Sequence, residues 1–414
     1  MLSESRLRRN TVYHLLDGIF YNVAAVAFSS DVIIPSMIRE LTSSATLLGC
    51  VALVLSLGSM LPQLVYAKAV EGLPYKKPAV LLWVVAGRVA WLGFFASMFV
   101  RWSPHFTLTA FFLLLSVIAL ASGLLTSVWA DWYARTTPEG GWGRVLGLRT
   151  AASGLAAITL GLFATWIMGR WGAPARYEIL LGVALVFYLL STLSLLPIKE
   201  ERASGEPTHE GVHVFAYLRD LGRITFERRD FRRFMLAVLL TGQPMVLMGT
   251  FLASYGLSYP NVGRGLAGVF LICTGAAVST GALLGGVLSD RRGPIAAIRL
   301  GSVIFLGAAA AATVSQRPVA VCIAFAVMGF SAGLRMTAML PALFRFAGPY
   351  RRPSYIAASS IVTGLTAAVL PPIAGGLVDA GLIGLPAVFA AGGVMCLAGC
   401  LVFRGMRAPS AEEG

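Results

Sequence analysis

The chain is short of charge. Asp, Glu, Lys and Arg make up 13% of its 414 residues, about half the ~25% of soluble domains. No continuous polar stretch is long enough to fold as a catalytic domain, and no Walker-type phosphate loop is present, so ATP hydrolysis is not the expected energy source. The five cysteines (Cys50, Cys273, Cys322, Cys396 and Cys400) all fall within apolar runs. They read as packed small residues, excluding a disulfide framework or a metal set. There is no Asn-x-Ser/Thr acceptor, and the first apolar run is too long for a cleavable signal peptide.

What is there is apolar. Hydrophobic residues reach 57% and fall in blocks at 12–38, 45–67, 78–100, 106–130, 146–168, 177–197, 234–257, 266–288, 295–314, 319–341, 355–378 and 385–403. Each block holds about 20 residues or more, the length at which a helix rising ~1.5 Å per residue crosses ~30 Å of hydrocarbon. The expected fold is all-α: a polytopic membrane protein of twelve transmembrane helices in two pseudo-symmetric six-helix bundles, residues 1–198 and 234–414. A cytosolic connector, 199–233, joins them. Within it Val214, Tyr217, Leu218, Leu221 and Ile224 recur at helical spacing, which predicts an amphipathic helix on the membrane surface. Forty-five glycines suit helices that approach one another closely in lipid.

Net charge is +14. With the N-terminus inside, 25 of the 33 Lys and Arg fall in segments facing the cytosol. That bias predicts both termini in the cytosol and a bacterial inner membrane as the location. Cations spread over separate loops also argue against nucleic acid as a partner.

The halves are alike. Gly123-Leu124 is followed 31 residues later by Gly154-Leu155, and Gly333-Leu334 is followed 31 residues later by Gly364-Leu365. The constant offset of 210 residues predicts two related bundles with a site at the repeat interface.

Gly285-Gly286-Val287-Leu288-Ser289-Asp290-Arg291-Arg292-Gly293 resembles the G-x-L-[AS]-D-R-x-G loop of the major facilitator superfamily. Pro371-Pro372-Ile373-Ala374-Gly375-Gly376 adds a small-residue face typical of that family. The resemblance covers nearly the whole chain and implies a carrier that alternates its opening, with Gly285, Asp290, Arg291, Arg292 and Gly293 as a cytosolic gating loop. The corresponding loop of the first half, Tyr66-Ala67-Lys68-Ala69-Val70-Glu71-Gly72, lacks the Gly–Asp–Arg set, leaving Lys68 and Glu71 to rebuild it. Leu16-Asp17-Gly18-Ile19-Phe20-Tyr21-Asn22-Val23-Ala24 resembles the L-D-x-x-x-x-N-V-A first helix of some exporters in the superfamily. Export is therefore favoured slightly, although 147–169 lacks the Gly-Pro pair of drug/proton antiporters.

Ionisable groups in hydrocarbon cost at least ~2.5–3.5 kcal/mol, so each marks a pathway or a pair. On one continuous first helix, Asp17 and Asp31 would lie ~21 Å apart within ~40° of one face, with Tyr21 and Phe28 near the same stripe. Alternatively, Asp31 caps a helix before Pro35. Arg335 is the preferred substrate contact, since a guanidinium can fork onto an anion. Arg88 is equally open to a structural ion pair. Gln243 stands beside a Pro244 kink, where it would satisfy a freed carbonyl. Trp129, Trp132, Trp166 and Trp171 are expected at the membrane interfaces.

His209-Glu210-Gly211-Val212-His213 fits the zinc-protease pattern H-E-x-x-H, but it follows a Pro-containing linker and holds a glycine that weakens the required helix. It reads as coincidence, and neither metal nor cofactor is expected. The expected function is secondary transport of a small organic solute, proton-coupled through Asp17 with Arg335 or Asp31, by a monomer in the lipid bilayer. The competing expectation is a scaffold of the same architecture that assembles or delivers a membrane partner. A non-enzymatic role follows from either.

Overall fold

A computed structural model describes residues 4–71, 73–100, 103–137, 142–202, 219, 222–225, 228–259, 263, 265–314, 317–347 and 352–406. The described residues form thirteen long helices: α1 (Glu4–Ala27), α2 (Ile33–Leu41), α3 (Ala45–Glu71), α4 (Lys77–Met98), α5 (Pro104–Thr136), α6 (Trp142–Arg170), α7 (Ala175–Leu195), α8 (Arg229–Leu257), α9 (Leu266–Arg292), α10 (Pro294–Val314), α11 (Pro318–Ala347), α12 (Arg352–Asp379) and α13 (Leu385–Phe403). Over the described residues, ten of them are long and apolar enough to cross a membrane, and α6 adds a shorter apolar stretch, Ala156–Arg170. Large apolar side chains such as Leu82, Val89, Leu113, Leu162, Leu283 and Val394 are exposed. That is how a helix meant to face lipid differs from one meant to face water. The protein is all-α and polytopic.

The first apolar block is not one helix. α1 stops at Ala27 and α2 starts at Ile33, with Pro35, which has no N–H to offer the carbonyl of Asp31, in the first turn of α2 where that donor is not needed. The continuous stripe joining Asp17 to Asp31 therefore does not exist. Elsewhere Pro62, Pro244, Pro341, Pro371 and Pro372 lie inside unbroken helices, where packed neighbours supply what the missing N–H removes.

The chain separates into two compact units. The first comprises Met1–Ser29, Val54–Ala156 and Trp171–Val214. In it α1 packs on α7 and α4 on α5. Val80, Val84, Val128, Trp132, Leu195 and Ile198 form one core. The carboxylate of Glu200 accepts from Lys76 N and Lys77 N, each at 2.8 Å, so it caps the start of α4 from a distant segment.

The second unit comprises Ser30–Leu53, Ala157–Arg170 and Phe215–Gly414. Here α9 packs on α11, α11 on α10, and α8 on α13. Asp379, at the end of α12, holds the start of α3 through Ala45 N (2.7 Å), Thr46 N (2.9 Å), Ser44 Oγ (2.7 Å) and Thr46 Oγ1 (2.6 Å). Those donors are the ones a helix N-terminus leaves unpaired, and a carboxylate complements the helix dipole there.

The glycines explain the closest approaches. A Cβ on Gly123 of α5 would strike the backbone at Ser59, and one on Gly333 of α11 would strike the backbone at Val278. Glycines 210 residues apart thus do the same packing work, each inside its own unit.

Candidate functional site

The polar residues inside the first unit gather around Asp17. Its Oδ1 accepts from Ser191 Oγ of α7 at 2.7 Å, and its Oδ2 lies 3.4 Å from Arg149 Nη2 of α6. The Arg149 and Asp17 side chains are 12% and 7% exposed, so the small value of surface ion pairs does not apply. Asn22 Nδ2 donates to the Arg149 carbonyl at 2.9 Å, fixing α6 against α1. Gly18, next to Asp17, leaves the space that the Arg149 side chain fills; any Cβ there would overlap it. The Arg149 guanidinium also lies over Trp129, 4.9 Å from the ring centroid, and its buried Nη1 has no hydrogen-bond partner.

Arg88 of α4 makes no ion pair among the described residues. Its guanidinium sits 3.9 Å from the ring centre of Tyr188 and 5.6 Å from that of Tyr21, while its buried Nε is unpartnered. Two aromatic faces stabilise that cation without neutralising it. Below Asp17 on α1, His14 Nε2 meets Thr136 Oγ1 at 2.8 Å. The Thr136 hydroxyl already donates to the Trp132 carbonyl at 2.7 Å, so His14 Nε2 must carry the proton. Thus Asp17, Tyr21, Asn22 and Arg88, expected as site residues, do come together in one unit. Arg149, Ser191, Tyr188 and His14 complete the group.

Arg149 lies only three residues inside the apolar block 146–168, among the cations counted on the cytosolic side. That depth was the available signal. Trp132, expected at the interface, is fully buried against His14, and Trp129 stacks on Tyr133 and carries Arg149. Trp166 and Trp171 are exposed.

The other expected residues lie in the second unit. Arg335 Nη1 of α11 donates to Thr241 Oγ1 (2.8 Å, α8) and Ser302 Oγ (2.6 Å, α10). Hydroxyls hold it, with no carboxylate paired to it among the described residues. Gln243 Nε2 donates to the Thr363 carbonyl of α12 at 3.0 Å. It therefore ties two helices together rather than satisfying the carbonyl freed by Pro244, and its buried Oε1 is unpartnered. Asp31 is exposed in the turn between α1 and α2 and accepts from Ser30 Oγ at 3.1 Å. Val32 holds the cap position of α2, with no side-chain cap, so the capping reading of Asp31 fails as well.

The expected gating loop is mostly helix. α9 runs through Arg292, leaving Gly293 as the whole link to α10, with φ of 87°. Gly285 lies inside α9, where a Cβ would sit 2.8 Å from Leu334 Cα of α11. Its role there is packing, not turning. The side chains of Asp290, Lys68 and Glu71 lie outside the described residues, as do His209–His213 and most of the expected 214–224 helix. Among the described residues no group of three or more His, Cys, Asp or Glu could hold a metal ion.

Intramembrane charges held on packed helices define a polytopic membrane protein built for polar traffic. The family model described as Major Facilitator Superfamily matches residues 18–315 and 262–413, and the chain belongs to that superfamily of transporters. No curated protein matches it in sequence. Among solved structures it resembles a mutant of the nucleoside transporter NupG, with TM-score 0.74 and 11% identity over 96% of this chain and 99% of that one. It resembles the E. coli fucose:proton symporter FucP with TM-score 0.64 and 16% identity over 96% and 98%. A bacterial homologue of the human lysosomal transporter Spinster, inward-facing and unoccupied, matches with TM-score 0.63 and 13% identity over 97% and 94%. At these identities the likeness concerns the fold.

Proposed function

We propose that the protein is a secondary active transporter that moves a small organic solute by alternating access, coupled to protons through Asp17. The observation that carries this reading is the Asp17–Arg149 pair at 3.4 Å, closed by Ser191 and buried among apolar helices. A buried carboxylate–guanidinium pair is expensive to keep for stability alone. As a switch it has a use: protonating Asp17 removes the charge that restrains Arg149, freeing the guanidinium for a solute anion or for rearrangement of α6 against α1. In the first unit Arg88 and Arg149 gather near one described carboxylate, Asp17, and in the second Arg335 has no carboxylate paired to it among the described residues; that excess favours a solute bearing negative charge. Arg335 is the proposed solute contact of the second unit, and Gln243 of α8 is proposed as a second polar contact.

Twelve crossings follow if α1–α2 and α6 join the ten apolar helices. At 24 and 29 residues, α1 and α6 are ~36 and ~43 Å long. The halves 1–198 and 234–414, the inner bacterial membrane, cytosolic termini, a monomeric state and slightly favoured export belong to the same proposal.

The test is a proteoliposome assay with a pH-sensitive dye inside. Nucleosides and fucose, substrates of proteins of similar fold, should be screened together with small organic anions. Wild-type protein should show solute-dependent proton movement that Asp17→Asn abolishes. A wild-type protein that moves solute with no proton signal would end the coupling assignment. One that is inert to the whole panel and co-purifies with a single membrane partner would favour a scaffold.

A further inference from the structure

One end of the second unit holds three arginines with no acidic partner among the described residues. Arg292 closes α9, Arg299 lies in the second turn of α10, and Arg345 lies near the end of α11. Together with Gly293, Ile295, Ala296, Gly405 and Met406 they line a cavity of about 560 Å³. That volume falls inside the ~300–1,000 Å³ range of small-ligand sites. Two of the lining residues are glycines with positive φ, 87° at Gly293 and 75° at Gly405, a backbone state that L side chains rarely adopt. Their turns form part of the cavity wall without projecting side chains into it. The fit is close: a Cβ at Gly293 would sit 3.3 Å from Arg345 Nη1.

All three guanidinium-bearing residues are exposed, and none is ion-paired among the described residues. Converging cations repel one another, so the free cavity carries an electrostatic cost that a bound anion removes. Guanidinium forks match phosphate oxygens in bidentate geometry, and basic pockets between membrane helices suit phosphate-bearing headgroups. Ile295 and Met406 supply an apolar wall beside the cationic one, which suits a phosphate esterified to something less polar. The geometry points to a phosphate-binding site in this cavity, held by Arg292, Arg299 and Arg345, whose ligand is a phosphomonoester or phosphodiester from an acidic lipid headgroup or from solution. The site shares no residue with the Asp17 group. Its location where α9 meets α10, a junction of one residue, would let ligand occupancy bias the position of α9 against α11.

Thermal unfolding of the purified full chain tests this, using wild type and Arg299→Gln/Arg345→Gln side by side. One arm adds millimolar inorganic phosphate to delipidated protein in detergent, with chloride at matched ionic strength as control. The other compares nanodiscs of phosphatidylglycerol with nanodiscs of phosphatidylcholine. A saturable ligand at 100-fold over its Kd should raise wild-type Tm by several degrees, and the double variant should lose most of that rise. Phosphate also stabilises proteins generally through exclusion from their surface, but that effect appears equally in both proteins and cancels in the comparison. A rise with free phosphate assigns a soluble ligand, and one confined to phosphatidylglycerol assigns the headgroup. If wild type and variant shift alike in both arms, or neither shifts, the site does not exist. Should the variant fail to fold, Arg299→Lys/Arg345→Lys replaces it: that variant keeps the charge and loses the forks, so its Tm rise should shrink without vanishing.

Discussion

At the scale of single residues, Asp17 and Arg149 behave as one unit. Removing either leaves the other buried without its countercharge, which in packed interiors costs about 3–5 kcal/mol. Removing both takes away the attraction and most of the penalty together. Asp17→Asn and Arg149→Gln should each lower stability strongly, and the double variant should be destabilised by less than their sum. The expected coupling is about 0.5–3 kcal/mol, typical of residues in contact. Equilibrium unfolding of the four proteins in one detergent reads it directly; strict additivity would mean the 3.4 Å approach is not an energetic interaction. The carboxylate was legible in sequence because an acidic residue in an apolar run is conspicuous. Its partner was not, because a cation near the inner end of a block resembles the many loop cations around it. Gly18 was unreadable for a different reason: the space it leaves is defined by a side chain 131 positions away.

At the scale of elements, apolar blocks located the helices well and their ends poorly. Block 385–403 coincides with α13, and block 295–314 with α10 but for one residue. Block 106–130 sits inside the longer α5, Pro104–Thr136. Hydropathy registers only the part of a helix in hydrocarbon, while hydrogen bonding carries the helix on into polar surroundings. The broken first block reverses that lesson, since unbroken hydropathy hid a break between Ala27 and Ile33. The motif around Gly285 shows how local pattern and tertiary role diverge. Two adjacent glycines look equivalent in sequence, yet they face different surroundings in α9. A Cβ on Gly285 would meet the α11 backbone, whereas one on Gly286 would meet nothing within 4 Å. Gly286→Ala should therefore gain about 0.5–1 kcal/mol from helix propensity. Gly285→Ala should lose about 1–3 kcal/mol through overpacking. The two changes are chemically identical and one residue apart, so opposite shifts in Tm would isolate packing as the cause. Equal shifts would show that α9 and α11 do not approach as closely as described.

At the scale of the whole molecule, the open quantity is how many times the chain crosses the membrane, and parity decides it. Ten helices qualify on length and apolarity over the described residues, and α6 contributes a shorter apolar stretch, Ala156–Arg170. With all twelve crossings, Ser5 and Ser103 are separated by three (α1–α2, α3 and α4), so they lie on opposite faces. Ser103 and Glu201 are likewise separated by three (α5, α6 and α7), while Glu201 and Arg404 are separated by six and share a face. With only the ten, the first two pairs would each be separated by two crossings, and all four residues would fall on one side. The distribution of Lys and Arg favours twelve, because the segment around Ser103 carries one cation, Arg101, and so belongs on the face opposite the cation-rich segments near Ser5, Glu201 and Arg404. All four positions are exposed, and the five cysteines are free. Single cysteines can therefore be introduced at these positions after the native ones are replaced. A membrane-impermeant maleimide applied to intact cells should label Ser103→Cys, and should reach Ser5→Cys, Glu201→Cys and Arg404→Cys only after the membrane is opened. If Ser103→Cys shared the protected side with the others, α1–α2 and α6 would not span, and Asp17 and Arg149 would lose the buried membrane setting on which proton coupling depends.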